Sequence, residues 1–342
     1  MMVTPTTQPN RVEAVSSRVA WSVRMLYQVA LVLFVFTVVV GILNGTDVVD
    51  FGHETLMTHV HAGTLGWISL CVFGAALVLF AGGTPPSQWQ ESLMGVLPVV
   101  TAVAIAAYVV AFFTTTGIGR PITGTIVLLA LVSWFAWVVA RSRATVLSVP
   151  RLALIAALTS LASGGVLGVL LGIELSGKAN VLPDGGEDAH PASMVIGFLI
   201  PIGMALGEWL LRPEAINAPV DRRGYLQIGL PFVGGILVMT GLLADITPLV
   251  GMSLPFEVVG VGIFLRRMWP ALRRVVWTSP DYRRTAALTS IYLVINIGLF
   301  VYLIVRYKGD LDLAPQREIL ALDHVMFKIG RASCRERVYV LV

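Results

Sequence analysis

Nine times along the chain, a run of 17 to 25 residues passes with no more than one charged side chain. A bilayer core about 30 Å thick needs roughly 20 apolar helical residues to cross it. In lipid, every backbone N–H and C=O must also find its partner inside the segment or in a closed barrel. The runs are continuous rather than alternating, so they predict helices and not barrel strands. They fall at about 21–43, 58–82, 93–113, 124–140, 152–175, 189–211, 225–244, 249–265 and 287–305. The predicted fold is an all-α, polytopic transmembrane helix bundle with nine full spans and the start of a tenth near Ile319. Of the 342 residues, 56% are hydrophobic and 13% charged, more apolar surface than a soluble domain hides.

Loop charge predicts the orientation. Fifteen arginines fall in or beside alternate loops: Arg11, Arg18 and Arg24; Arg141, Arg143 and Arg151; Arg212, Arg222 and Arg223; and six between Arg266 and Arg284. The opposite loops hold five basic residues, Arg120, Lys178, Arg306, Lys308 and Arg317. By the positive-inside rule the N-terminus is cytoplasmic. The outer loops then carry Asp47, Asp50, Glu54, Asp184, Glu187 and Asp188. With two cysteines, Cys71 in an apolar run and Cys334 near the end, neither a disulfide framework nor a cysteine-rich metal site is expected. A polar stretch precedes the first run, so no cleavable signal peptide is expected.

The last residues read differently from the rest. Ile329-Gly330-Arg331-Ala332-Ser333-Cys334-Arg335-Glu336-Arg337-Val338 resembles the conceptual translation of a sequencing adapter. Residues 1–327 are therefore expected to form a single transmembrane domain cut within its tenth helix, and 328–342 a non-native tail. That tail supplies +3 of the formal net charge of +4, so the charge gives no reason to expect a nucleic-acid partner.

Three histidines, His61, His190 and His324, are spaced 129 and 134 residues apart, four hydrophobic runs each time. Each opens a run that enters from the same predicted outer face. A histidine at bilayer depth is costly and often holds a metal or moves protons. The plainer reading is that histidines near helix ends reach interfacial water. His59 and His61 are two residues apart, about 200° around a helix, so they cannot face one pocket. Small residues follow, as in His61-Ala62-Gly63-Thr64-Leu65-Gly66-Trp67 and His190-Pro191-Ala192-Ser193. Such residues admit either a flat macrocycle or a neighbouring helix.

In these segments the chain resembles subunit I of the heme–copper oxidases and their nitric oxide reductase relatives. The resemblance covers most of the chain as topology and about three short segments as motif. It implies twelve helices in three arcs of four, with ligands on helices 2, 6 and 10 near the outer face. It puts a low-spin heme ligand on His61 and a metal ligand on His190, whose His-Pro start is similar to the copper-ligand helix. On helix 10 the family carries His-x-His, which falls on His324 and Met326, and methionine also serves as an axial heme ligand. The implied cofactor is heme, of b type. The implied setting is the plasma membrane of a prokaryote, with other respiratory subunits or an electron donor as partners. Two departures stand out. The run from Tyr225 to Ala244 lacks the family's histidine pair, and Ala192 replaces the glutamate that often follows His-Pro. Copper held by His190 alone would be short of nitrogen ligands.

Glu257, two residues after Pro255, lies mid-span, either as part of a proton path or as a protonated acid bonded to a carbonyl freed by the proline. Glu208 reads as interfacial. Arg120 reads as a heme propionate partner or a solvated loop residue. The resemblance thus implies a heme-binding redox protein, more than it implies oxygen reduction; a catalytic member would pass electrons to oxygen or nitric oxide. A non-catalytic heme or metal sensor or assembly protein, and a cofactor-free transporter with helices broken at Pro201 and Pro255, are the other readings.

Overall fold

The computed structural model describes residues 17–82, 86–279, 281–308, 313–322 and 324–325. Among these there is no strand, and nine helices are long and apolar enough to cross a membrane. They are α1 (Ser17–Gly45), α2 (His53–Phe80), α3 (Gln88–Thr114), α4 (Gly119–Ser142), α5 (Val149–Leu175), α6 (Gly186–Leu211), α7 (Arg222–Leu243), α8 (Thr247–Leu272) and α9 (Tyr282–Arg306). The chain is thus a multi-pass helical membrane protein. A further helical stretch covers 316–322 and 324–325. Met326 and the tail 328–342 lie outside the described residues.

Each helix starts a few residues before its apolar stretch, and polar side chains close the first turn of α3, α7 and α9. Ser87 and Gln90 form a capping box at α3, where the Ser87 backbone N–H donates to Gln90 Oε1 at 3.0 Å. Asp221 Oδ1 accepts from the Gly224 N–H at 2.7 Å at the start of α7. At its far end α8 runs on through Arg266 and Arg267 to Leu272, about two turns beyond its apolar run.

The bundle has two central helices. In α2 and α6, 78% of the apolar window is buried, against 22 to 44% in the other seven. The remaining helices pack around this pair and turn large side chains outward, among them Val32, Val103, Leu129 and Val305, as lipid contact requires. Between lipid and protein there is little hydrophobic gain, so close packing and buried hydrogen bonds hold the helices together. Phe73 of α2 stacks on Trp134 of α4 at 4.8 Å, and Trp134 Nε1 donates to Thr101 Oγ1 of α3 at 2.8 Å.

Both central helices change pitch in the same way. In α2 the α-helix His53–His61 gives way to a π-helical segment, Ala62–Ser69, before α-geometry resumes at Leu70. In α6 the α-helix Gly186–Ala192 is followed by a π-segment, Ser193–Leu199. Wide turns of this kind are rare and concentrate at functional sites.

Two arginines close the other end of α2. Arg141 of α4, 1% exposed, donates from Nε to the Phe80 carbonyl at 3.1 Å and from Nη2 to the Gly82 carbonyl at 2.8 Å. Arg151 of α5 donates from Nε to the Leu79 carbonyl at 2.8 Å and from Nη1 to the Val146 and Ile216 carbonyls. Cations at a helix C-terminus satisfy its orphan carbonyls and oppose its dipole.

Candidate functional site

The two pitch changes sit beside two histidines. His61 is the last residue of the α-helical part of α2, and His190 lies three residues before the π-segment of α6. Their rings face each other across the core, with centroids 6.4 Å apart and planes within 15° of parallel. His61 Nδ1 is 2.8 Å from the Met57 carbonyl, and His190 Nδ1 is 2.9 Å from the Gly164 carbonyl of α5. A carbonyl only accepts, so each Nδ1 carries the hydrogen and each neutral ring keeps its lone pair on Nε2. Among the described residues no hydrogen bond reaches either Nε2. A histidine whose far nitrogen donates to a backbone carbonyl is oriented as metal-bound imidazoles are.

Helix α5 makes room for His190 with a stripe of small residues at four-residue spacing. A Cβ added at Gly168 would lie 2.8 Å from His190 Cε1, and one added at Gly164 would meet Ser193 Oγ at 2.3 Å. Ser160, next in the stripe, packs against Gly197 of the π-segment. Gly63 and Gly66, by contrast, face Thr37 and Leu33 of α1. The small residues after His61 therefore serve helix packing and do not open towards His190.

An aromatic and cationic column closes the site towards the loops. Phe112 of α3 stacks on His61 at 4.3 Å, and Tyr108 meets His61 edge-on at 5.7 Å. The Arg120 guanidinium lies 4.3 Å from the Phe112 ring centroid and donates to the Phe112 carbonyl at 2.9 Å. It also pairs with Glu54, on the first turn of α2. Arg120 is thus mostly enclosed and bonded to protein. No family model, curated protein or solved structure matches this chain.

The other sequence candidates lie apart from this pair. His59 turns away from His61, as two residues on a helix must, and its Cε1 lies 3.0 Å from where Gly41 of α1 would carry a Cβ. Its Nδ1 is buried without a hydrogen-bond partner among the described residues. His324 lies within electrostatic reach of His59, so His59 is the α2 histidine on that side. His324 is exposed, with Nδ1 on the Leu320 carbonyl at 2.7 Å, and its segment is tied to α9 by Asn296 Nδ2 donating to the Leu322 carbonyl at 3.1 Å. Among the described residues no three of His, Cys, Asp and Glu gather as a metal site.

The intramembrane acids are clear of the histidines. Glu257 is 1% exposed on α8, beside Gly234 of α7. Glu208, read from sequence as interfacial, is fully buried. Its Oε2 accepts from Arg267 Nη1 at 2.9 Å and from Gln227 Nε2 at 3.1 Å, while Arg212 stands 3.8 Å from Oε1. Position alone suggested an exposed helix end, but α8 runs on and brings Arg267 over it. Sequence reasoning also passed over Tyr108 and Phe112, two aromatics within an apolar run like any others.

Proposed function

We propose that this chain is a heme-binding, electron-carrying membrane protein, similar in kind to subunit I of the heme–copper oxidases, with His61 and His190 as its principal imidazole pair. The facing geometry of that pair carries the reading. A metal-bound imidazole binds through one ring nitrogen while the other donates to a carbonyl, carboxylate or water. His61 and His190 suit the role of ligands in that each Nδ1 rests on a carbonyl, no hydrogen bond reaches either Nε2 among the described residues, and the ring centroids lie 6.4 Å apart. His61 and His190 would hold the heme, and the heme would supply one-electron transfer.

The chain's own residues divide the remaining work. Met57 and Gly164 fix the two tautomers through their carbonyls. Phe112 and Tyr108 shield His61 from water, and the Arg120–Glu54 pair closes the site at the loop face. In this reading His190 partners His61 instead of holding copper.

The test is a reduced-minus-oxidised visible spectrum of the purified protein beside its His61→Ala, His190→Ala, His59→Ala and His324→Ala variants. Heme bands should appear in the wild type and fall at least tenfold in His61→Ala and His190→Ala. A monodisperse wild type without heme bands overturns the reading. Bands lost only in His59→Ala or His324→Ala would keep the heme and move it to the other pair.

A further inference from the structure

Glu257 stands outside the histidine site and, among the described residues, belongs to no ion pair. It lies ten residues past Thr247, ~15 Å along α8 and so near mid-membrane. A Cβ at Gly234 of α7 would come within 3.3 Å of its Cγ and 3.5 Å of Oε1, so its side chain fills the notch that this glycine leaves.

Among the described residues no charged group is paired with it. The ionisable residues of α7 (Arg222, Arg223 and Tyr225) are confined to its first turn, with the capping Asp221 just before them. On α6, Glu187, Asp188 and His190 lie near the start and Glu208 near the end, with Arg212 just beyond; on α9, Tyr282, Arg283 and Arg284 lie in the first turn, Tyr292 mid-helix, and Tyr302 and Arg306 near the end. None of these, nor Arg267 ten residues along α8, acts on Glu257. Gly260 pressed against Pro231, and the wholly buried Phe264, separate it from the Glu208–Arg267–Gln227 cluster.

The Ser253 hydroxyl lies one turn earlier on the same helix. That hydroxyl has a single proton, and it goes to the Val250 carbonyl at 2.8 Å. While so bonded, Ser253 has no proton for a carboxylate, and neither Glu257 oxygen has a hydrogen-bond partner among the described residues. An ionised carboxylate here would be a buried charge with no donor and no counter-ion, the costliest state for a carboxyl group. The neutral acid has its own proton to give, and the Ser253 oxygen has lone pairs to accept it. The chain Glu257 O–H to Ser253 O–H to the Val250 carbonyl then leaves no proton unmatched.

We propose that Glu257 is a proton-binding site in the α7–α8 pair, resting as a neutral carboxylic acid hydrogen-bonded to Ser253 and exchanging its one proton with water when the two helices part at Gly234. The carboxylic acid becomes carboxylate, the proton passes to water, and no other bond changes. The inference is independent of the heme reading, since no heme-facing residue enters it.

Infrared spectroscopy of the full chain in lipid nanodiscs at neutral pH tests this. The wild type should show a carboxylic-acid carbonyl band that is missing in Glu257→Gln and moves to lower frequency in deuterium oxide. In Ser253→Ala the band should persist and move up, because its hydrogen bond is gone. Glu208→Gln should leave it unchanged, since Glu208 belongs to the separate cluster with Arg267 and Gln227. If no acid band depends on Glu257, the residue is ionised and the proposal fails. If the band ignores deuterium oxide, the acid is sealed and the proposal equally fails. Should Glu257→Gln not fold, Ser253→Ala decides alone, and an acid band that stays in place overturns the proposal.

Discussion

Hydrogen bonding at single residues divides the polar side chains of this core into two kinds. His61 and His190 each commit one nitrogen to a carbonyl and keep the other for something else. Glu208 commits Oε2 to Arg267 and Gln227, while its Oε1 is buried without a hydrogen bond among the described residues, 3.8 Å from Arg212. Removing one partner of such a buried pair strands the other, at a typical cost of about 3–5 kcal/mol. Glu208→Ala should therefore lower the melting temperature in detergent sharply. The double variant with Arg267→Met should recover much of the loss, and equal melting of the two would show that the residues are not coupled. At Gly168 the expected effect is local. Gly168→Val would drive a side chain into the His190 ring, costing roughly 1–3 kcal/mol by overpacking. It should also reduce heme content more than Gly172→Val does. Sequence spacing picked out His61 and His190 because a histidine at membrane depth is conspicuous. Their facing one another was not legible, since it depends on the Gly164–Gly168 stripe of α5 and on pitch changes that leave no simple pattern in the residues.

At the scale of elements, helix existence and order were legible throughout, because lipid demands long apolar runs. Ends were less so: α8 continues seven residues past its apolar run, since Arg267 finds its partner inside the bundle. The π-segments have the clearest consequence. A wide turn accommodates one extra residue and rotates the helix on its N-terminal side relative to the helix on its C-terminal side. Deleting a single residue between Ala62 and Ser69 should restore α-pitch and swing His61 about 100° relative to the buried half of α2. We expect helix content by circular dichroism to stay near wild type while heme content collapses. Unchanged heme content would mean that the π-segment does not aim His61.

For the molecule as a whole, the charge pattern predicts that the histidine face is outside. A cysteine at Asp184 should react with a membrane-impermeant maleimide on intact cells, and one at Ser279 only after the membrane is opened. The reverse pattern would invert the topology. Composition made the membrane setting plain, whereas the central position of α2 and α6 was hidden, because buried and lipid-facing helices are almost equally apolar.

Arg141 and Arg151 tie these scales together through the order of assembly. As sequence they read as loop charges that fix how α4 and α5 thread the membrane, yet their guanidinium groups end on the last carbonyls of α2, a helix made earlier in the chain. A nascent α2 therefore waits with an open end until a later hairpin delivers its donors. The residues that orient that hairpin during insertion are the ones that lock the centre of the bundle once it arrives, so an error of threading at α4–α5 would also be an error of closure at α2.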